Sequence, residues 1–411
     1  MTTAAGETTR KQSAIGAGEF IALMAAMTSL AALSTDAMLP ALSTIGLDLH
    51  SPDANANQLI VTFLFFGMAV GQFVFGPLSD STGRKPSIYL GYAVFGAGSL
   101  LTIFAGSFNV MLAGRLLQGF GIAGPRGVTM ALVRDRFSGR EMARVMSFVM
   151  MVFIIAPIIA PSIGQLIFIA AGWRAIFVFL LIMAAVTCIW FALRQNETLP
   201  PERRMPFSFS RILRAFQEVL RNRITLGYTL SAGLISGAFL GYLNSSQQIF
   251  QVQYGLGGRF PLFFAAMALS MGTASFLNSR LVMRYGMRRM AHTAAIVQSA
   301  LSIPFLILTF TMQGHPPLAL FTLYLAATLF CTGILFGNQN ALAMEPLGHV
   351  AGVGSAVVGA LSLLLGTPLG MVIGQSYNDT VLPVVTGFAL LGTAAIVLMR
   401  WAERGQTKSG A

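Results

Sequence analysis

Three ionisable side chains stand in stretches that would otherwise dissolve in lipid. Asp36 lies in AALSTDAMLPAL (31–42), at the end of an apolar run that begins near Ile15. Arg115 and Arg126 lie in RLLQGFGIAGPRGVTMALVRD (115–135). An ionised group at the centre of a bilayer costs about 3 kcal/mol or more, so each needs a partner or a water-filled cavity. Arg126 follows Arg115 by about three helical turns, roughly 16 Å along the axis, and returns to nearly the same face. Pro125 is expected to kink that helix. The two guanidiniums are therefore expected to look into one cavity, with Asp36 near the depth of Arg115. Gln118, Tyr242, Asn244 and Asn338 are the polar residues expected to line it, although amides in apolar helices also serve as glue between helices. Gln72, Gln247, Gln248, Gln339 and Asn340 stand in similar surroundings.

Other chemistry is sparse. The histidines His50, His292, His315 and His349 are scattered, and Cys188 and Cys331 sit inside apolar runs, so there is no metal-ligand spacing and no disulfide framework. No catalytic cluster gathers at one interface, and no G-x-x-x-x-G-K-[ST] loop is present for ATP. The sequence does not read as an enzyme and implies no metal and no cofactor.

The elements that must position these residues are membrane helices. The chain has 411 residues, is 55% hydrophobic and only 10% charged, and has a mean hydropathy of +0.72. A soluble domain carries about 25% charged residues. A spanning helix needs about 20 apolar residues. Such runs number twelve: 17–40, 56–78, 86–106, 108–132, 145–168, 173–193, 222–245, 259–282, 290–312, 317–342, 351–374 and 380–401. The longest polar segment, RQNETLPPERRMPFSFSRILRAFQEVLRNR, falls at mid-chain, and RILRAFQEVL within it has the pattern of a surface amphipathic helix. The expected organisation is an all-α membrane protein with a six-helix half over 1–193, a basic cytoplasmic linker over 194–223, and a second six-helix half over 224–411.

With both termini in the cytoplasm, 22 of the 26 basic residues fall in cytoplasmic segments, Arg10, Lys11 and Lys408 among them. The exceptions are Arg115, Arg126, Arg174 and Arg259. The net charge of +12 then faces anionic lipid, and no nucleic-acid partner is implied.

FGPLSDSTGRKPSIY after the second span and LNSRLVMRYGMRRMAH after the eighth form a faint repeat. Aligning Gly83 with Gly286 gives an offset of 203 residues, about half the chain, as two related halves require. The second copy has Met283 where the first has Asp80. GPLSDSTGRKPS (76–87) holds more than topology needs. Its order of Gly76, Asp80, Gly83, Arg84 and Lys85 resembles the signature loop of the major facilitator superfamily, and the twelve spans and basic central loop also match. The resemblance implies a conformational latch in which Asp80 and Arg84 pair with an acid at the end of span four, where Asp135 stands. Arg115, Gln118 and Gly119 resemble the family's R-x-x-Q-G motif.

FIIAPIIAPSIGQLI (153–167) resembles the helix-deforming motif of the antiporter branch through Pro157, Pro161 and Gly164, but Ala160, Ile163 and Gln165 depart from the pattern. TDAMLPAL, RLLQG, GPRGVTMALVRD and GWRAIF (172–177) resemble the Bcr/CflA branch of drug:proton antiporters. That resemblance implies multidrug efflux from bacteria, a conferrer of antibiotic resistance, acting by alternating access in the inner membrane on a small-molecule substrate. It makes Asp36 the proton carrier, in concert with Arg115. Burial favours the neutral acid and a nearby arginine the carboxylate, so water or substrate beside Asp36 can switch it. Protons would be the coupling ion and the protein a monomer. Where some relatives carry a second acid, this chain has Thr28, and with one acid against two arginines the cavity favours neutral, zwitterionic or anionic solutes over cations. A proton-coupled importer on the same fold is the alternative; a channel or membrane enzyme is more remote.

Overall fold

The structure, a computed structural model, describes residues 15–404; Arg10, Lys11 and Lys408 fall outside them. Within lipid every backbone polar group must be satisfied inside the chain, which leaves helices as the solution for a sequence of this apolarity. The described residues form fourteen α-helices: α1 (Ala17–Asp36), α2 (Leu42–Asp48), α3 (Leu59–Thr82), α4 (Arg84–Ile103), α5 (Phe108–Arg136), α6 (Gly139–Ala171), α7 (Trp173–Arg194), α8 (Phe209–Arg221), α9 (Arg223–Gln247), α10 (Phe260–Tyr285), α11 (Met287–Thr311), α12 (Leu318–Met344), α13 (Ala351–Gln375) and α14 (Leu382–Glu403).

Eleven spans are long and apolar enough to cross a membrane, the first of them made of α1 and α2 together. The twelfth, α5, has 29 residues but is diluted by Arg115, Gln118, Arg126 and its glycines. It is a span by position: it packs along α3 and α4. Its polar groups are tolerated because the neighbouring helices absorb them.

Helices α1 and α3–α7 pack as one group and α9–α14 as another; α3 lies on α13 and α6 on α10 between them. We call the side bearing the Gly83–Arg84 turn the basic face, and the other the far face. Gly83 and Gly286, the aligned pair of the repeat, both take positive φ (104° and 78°) and both separate two spans. A side chain is strained in that conformation, so the same turn is built twice by the same residue type. Helix α8 is the amphipathic segment of the linker. Ala215 and Val219 are buried against the second half, while Phe209, Leu213 and Leu220 remain exposed.

Gly119 shows how tightly α5 is set. A Cβ there would overlap the Leu64 carbonyl of α3, whereas one on Gly127 of the same helix would meet nothing. Gly119→Ala is expected to destabilise the protein by about 1–3 kcal/mol through overpacking. Gly127→Ala should be neutral. Thermal unfolding of the two variants in detergent checks the contrast.

Candidate functional site

Asp36 is the last residue of α1, and the helix stops there for a local reason. Pro40 sits four residues on. It has no N–H to give the Asp36 carbonyl, and its ring would collide with that carbonyl in a continuing helix. The chain turns through Ala37 and Met38, makes one tight turn at Leu39–Ala41, and resumes as α2. The expected continuous span over 17–40 is thus a broken one. Broken helices at membrane depth are tolerated where protein buries them, and they are where transporters build ion and solute sites.

The break is held from one side by α6. Gly164 lies on the Ala37 backbone so closely that a Cβ would overlap its carbonyl oxygen. Pro157, Pro161 and Gly164 share a face of α6, and the two prolines remove the hydrogen bonds that residues 153 and 157 would otherwise receive. The observed α6 is one helix from Gly139 to Ala171, its inner strip softened opposite the end of α1.

Arg115 has a different position from the one its helical spacing suggests. It is completely buried and does not reach a cavity. Its Nη2 donates to the Ser34 carbonyl (2.9 Å), Nε to the Ile60 carbonyl (3.0 Å), and Nη1 to Gln118 Oε1 (2.8 Å); the guanidinium also lies 5.7 Å from the Phe177 ring centre. Gln118 in turn donates to Ser99 Oγ (2.9 Å) and is fully buried as well. So Arg115 and Gln118 stitch α1, α3, α4 and α5 together. No ion pair joins Arg115 to Asp36 among the described residues. The helical wheel placed the side chain on the right helix face; it did not show that helix carbonyls fill that face.

The Asp36 carboxyl is 5% exposed and makes no hydrogen bond or ion pair with a described side chain. Tyr242 of α9, in the other half, is buried and its hydroxyl has no hydrogen-bond partner. Asn244, one step nearer the far face, donates to Thr62 Oγ1 and to the Gly370 carbonyl, both at 3.2 Å. Farther out, Gln247 donates to Ser43 Oγ (2.9 Å), Gln248 to Asn55 Oδ1 (2.8 Å), and Gln58 to Gln248; Asn55 and Gln375 complete the set. Side-chain hydrogen bonds between the halves therefore gather at the far face, which is shut.

The remaining predicted residues lie apart. Arg126 is half-buried on α5, beyond Pro125. Asn338 donates to Asn278 Oδ1 (2.7 Å) and the Ile334 carbonyl (2.9 Å), entirely within the second half. Thr28 is turned back on its own helix.

At the basic face, Arg84 bridges two acids. Nη1 meets Asp80 at 2.5 Å and Ser79 Oγ at 2.7 Å, and Nε meets Asp135 at 2.9 Å. Gly76 faces Ala356 of α13, and Lys85 reaches the Gln195 carbonyl at 2.7 Å. Sequence reasoning missed Glu197. Its carboxylate accepts from the backbone N–H groups of Arg84 and Lys85 (2.9 Å each), capping α4, and from those of Thr198 and Leu199 (3.0 Å each). The only signal was an acid just after α7, in RQNETLPP.

This architecture is one that known proteins share. The Major Facilitator Superfamily profile matches residues 24–371. The chain belongs to the major facilitator superfamily. It is therefore a multi-pass membrane transporter and not an enzyme. It is 32% identical to the uncharacterized MFS-type transporter YdgK of Bacillus subtilis over 91% of this chain and 92% of that one. It is 30% identical to the bicyclomycin resistance protein homolog of Haemophilus influenzae over 89% and 91%, and 28% identical to the multidrug resistance protein MdtL of Salmonella heidelberg over 86% and 89%. These relatives agree with the Bcr/CflA likeness read from the motifs. Among solved structures, the human organic anion transporter MFSD10 (TETRAN) superposes with a TM-score of 0.69 at 18% identity, over 93% of this chain and 99% of that one. The E. coli xylose transporter XylE in a partially occluded inward-open conformation gives 0.71 at 13% identity, over 93% and 97%. Both share the fold.

Lysine offers one ammonium where Arg115 serves three acceptors on three helices. Arg115→Lys is expected to lose about 1–3 kcal/mol by leaving buried carbonyls unpaired. Asp36→Asn should unfold near the wild-type temperature, because Arg115 does not depend on that carboxylate. Thermal unfolding of both variants tests this. Glu197→Ala removes the cap of α4, worth about 0.5–2 kcal/mol. The backbone amides of Arg84, Lys85, Ser87 and Ile88 should then exchange faster, by about tenfold, in hydrogen-exchange mass spectrometry.

Proposed function

We propose that this chain is a proton-coupled exporter of small toxic organic compounds, working as a drug/proton antiporter by alternating access. The observation that carries the reading is the setting of Asp36: a buried carboxyl at a helix break, with no counter-charge paired to it among the described residues. A charge buried so is costly unless it is neutralised or paired. Such a group is suited to hold a proton while sealed and to yield it once water reaches it. The names of the relatives, bicyclomycin resistance and multidrug resistance, support export of drug-like solutes. The prolines of α6 opposite the break supply the give that rocking halves need.

The proposed orientation puts the basic face in the cytoplasm of a bacterium and the protein in its inner membrane, as the distribution of arginines favours. The shut far face then corresponds to a cytoplasm-facing state. Protons are the coupling ion, no cofactor is used, and the chain acts as a monomer in contact with lipid and solute. The preference for neutral, zwitterionic or anionic solutes rests on Arg126 and on the scarcity of acids in the spans. Arg115, spent on helix carbonyls, no longer contributes to it.

The test uses everted membrane vesicles with a respiration-driven, acid-inside pH gradient read by a fluorescent dye. Some neutral, zwitterionic or anionic compounds are expected to collapse the gradient with the wild-type protein and to have no effect with Asp36→Asn. Collapse by lipophilic cations alone would overturn the substrate class. Collapse that survives in Asp36→Asn would overturn the role of Asp36. If no compound collapses the gradient while cells take up a solute in a gradient-dependent way, the protein is an importer.

A further inference from the structure

Asn55 stands in SPDANANQ (51–58), the loop that leads into α3, and every polar atom it has except its backbone N–H reaches the other half. Its Nδ2 donates to the Gln375 carbonyl (3.1 Å) and to the Tyr377 carbonyl (2.8 Å). Its Oδ1 accepts from Gln248 Nε2 (2.8 Å), and its backbone carbonyl accepts from Gln375 Nε2 (2.8 Å). Gln375 and Tyr377 lie at the end of α13, and Gln248 lies just past α9. The last carbonyls of a helix have no partner within it. Asn55 therefore caps the C-terminus of α13 from the opposite half.

The loop is braced so that it presents this residue. Asp53 Oδ1 accepts from the Ala56 N–H (2.8 Å), Ser51 Oγ donates to the Asp53 carbonyl (3.3 Å), and the Asn55 carbonyl also accepts from the Gln58 N–H (3.0 Å). The partners dictate which way the amide points. Two carbonyls can only accept, so the NH2 group must face them, and the oxygen is left for Gln248. Gln248 in turn accepts from Gln58. Donation thus runs from Gln58 to Gln248 to Asn55 to the end of α13, and each link crosses the seam. No ionised side chain takes part. Helix α13 carries no charged residue, the one charge of α3 is Asp80 at the basic face, and that of α9 is Arg223 at its first residue. Asp53 is engaged in its own loop, Asp48 at the end of α2 accepts from Trp173 (2.7 Å), and Asp379 lies two residues past Tyr377.

We propose that Asn55 is the lock of the far face: it caps α13 across the seam while that face is shut, lets go when it opens, and so sets the balance between the two states. The inference rests on the alternating-access part of the reading above and on neither proton coupling nor the direction of transport. Opening strips three side-chain hydrogen bonds from one residue together. It also uncaps α13 and frees the Gln248 amide, so the loss falls on both halves. The same residue makes the lock sensitive to a single change of chemistry. A carboxylate at position 55 keeps the shape but faces the Gln375 and Tyr377 carbonyls with no hydrogen to give.

The test measures the far face directly and needs no substrate. Spin labels are placed on Asn109→Cys and Thr311→Cys, exposed positions at the far ends of α5 and α11, in full-length protein with Cys188 and Cys331 replaced by Ala. Distances are measured in lipid nanodiscs. Asn55→Ala is expected to lower the closed-to-open ratio about tenfold or more. Asn55→Asp is then compared with Asn55→Ala in the Asp36→Asn background, from about pH 4 to about pH 7.5, a range that ionises an ordinary aspartate. Titrations elsewhere are common to both variants. At the acid end the neutral acid can still donate once, so Asn55→Asp should be at least as closed as Asn55→Ala. At the upper end it should be more open, by about tenfold. This crossing of the two variants is what a residue that merely packs its own loop would not produce, and it can be read from Asn55→Asp against the Asp36→Asn parent if Asn55→Ala does not fold. Two far-face distances whose ratio ignores Asn55→Ala, or an Asn55→Asp variant that does not open as pH rises, overturn the lock alone. One unchanging distance in every variant at every pH overturns alternating access and the lock with it.

Discussion

Pro40 cannot donate a hydrogen bond to the carbonyl of residue 36, and much of the site follows from that. Helix α1 ends at the one deep acid of the first span. The freed chain turns over Gly164, whose missing Cβ lets α6 lie against Ala37. Two residues before the break, the Ser34 carbonyl accepts from Arg115. The guanidinium thus anchors the last turn of α1 to α3 and α5, and the break stays local. Without that anchor the end of α1 would rely on apolar packing alone, which is non-directional. On the proposed reading, in which Asp36 handles the proton, a fixed position matters more than a strong partner. The structure supplies the position through the backbone and leaves the carboxyl itself untied.

The two halves solve the same problem at the basic face with different residues. In the first, Arg84 joins Asp80 and Asp135. In the second, the repeat offset puts Met283 at the Asp80 position and Arg288 at that of Lys85. Arg288 pairs with Glu345, just beyond α12, at 3.0 Å. It also approaches Glu403 at the end of α14, which His292 contacts at 3.0 Å and to which Tyr228 donates. Asp135 and Glu345 stand at the ends of corresponding helices, α5 and α12. The missing acid of the second copy is therefore replaced by one from another helix. The pairing survives while the sequence motif does not, which is why the repeat looks faint in the sequence.

Much of this was legible in the sequence, and the failures have physical causes. Twelve spans and the basic linker follow from hydropathy and charge, and the Arg84–Asp135 approach was implied by the resemblance of the loop after the second span to the major facilitator signature. The fate of Arg115 was not legible. A helical wheel shows which way a side chain leaves its helix. It does not show that Ser34 and Ile60 on two other helices present carbonyls there. The end of α1 was within reach, because Asp36 and Pro40 are four residues apart and the consequence is a matter of one hydrogen bond. Glu197 was out of reach: its partners are backbone amides of α4, more than a hundred residues away, and backbone amides leave no mark in a sequence. Tyr242 and Asn244 were singled out as polar residues in an apolar run, but the engagement of Asn244 across a seam depends on which face of α9 meets the first half.

The contrast between the two faces follows from where each contact sits. At the basic face the ionic pairs lie within each half, Arg84 with Asp80 and Asp135 and Arg288 with Glu345 and Glu403, so the halves can part there without separating them. At the far face the crossing contacts are amides and hydroxyls. A neutral hydrogen bond contributes about 0.5–1.5 kcal/mol net, so a handful can hold the seam shut and still break without stranding a charge in a dry interior. An ion pair in the same place would lock the face or cost several kcal/mol per ion on separation. A transporter needs both conformations within reach, since a ligand can shift an equilibrium only by its differential affinity for the two states. A neutral seam leaves that balance open to a bound solute and, on the proposed reading, to the charge of Asp36.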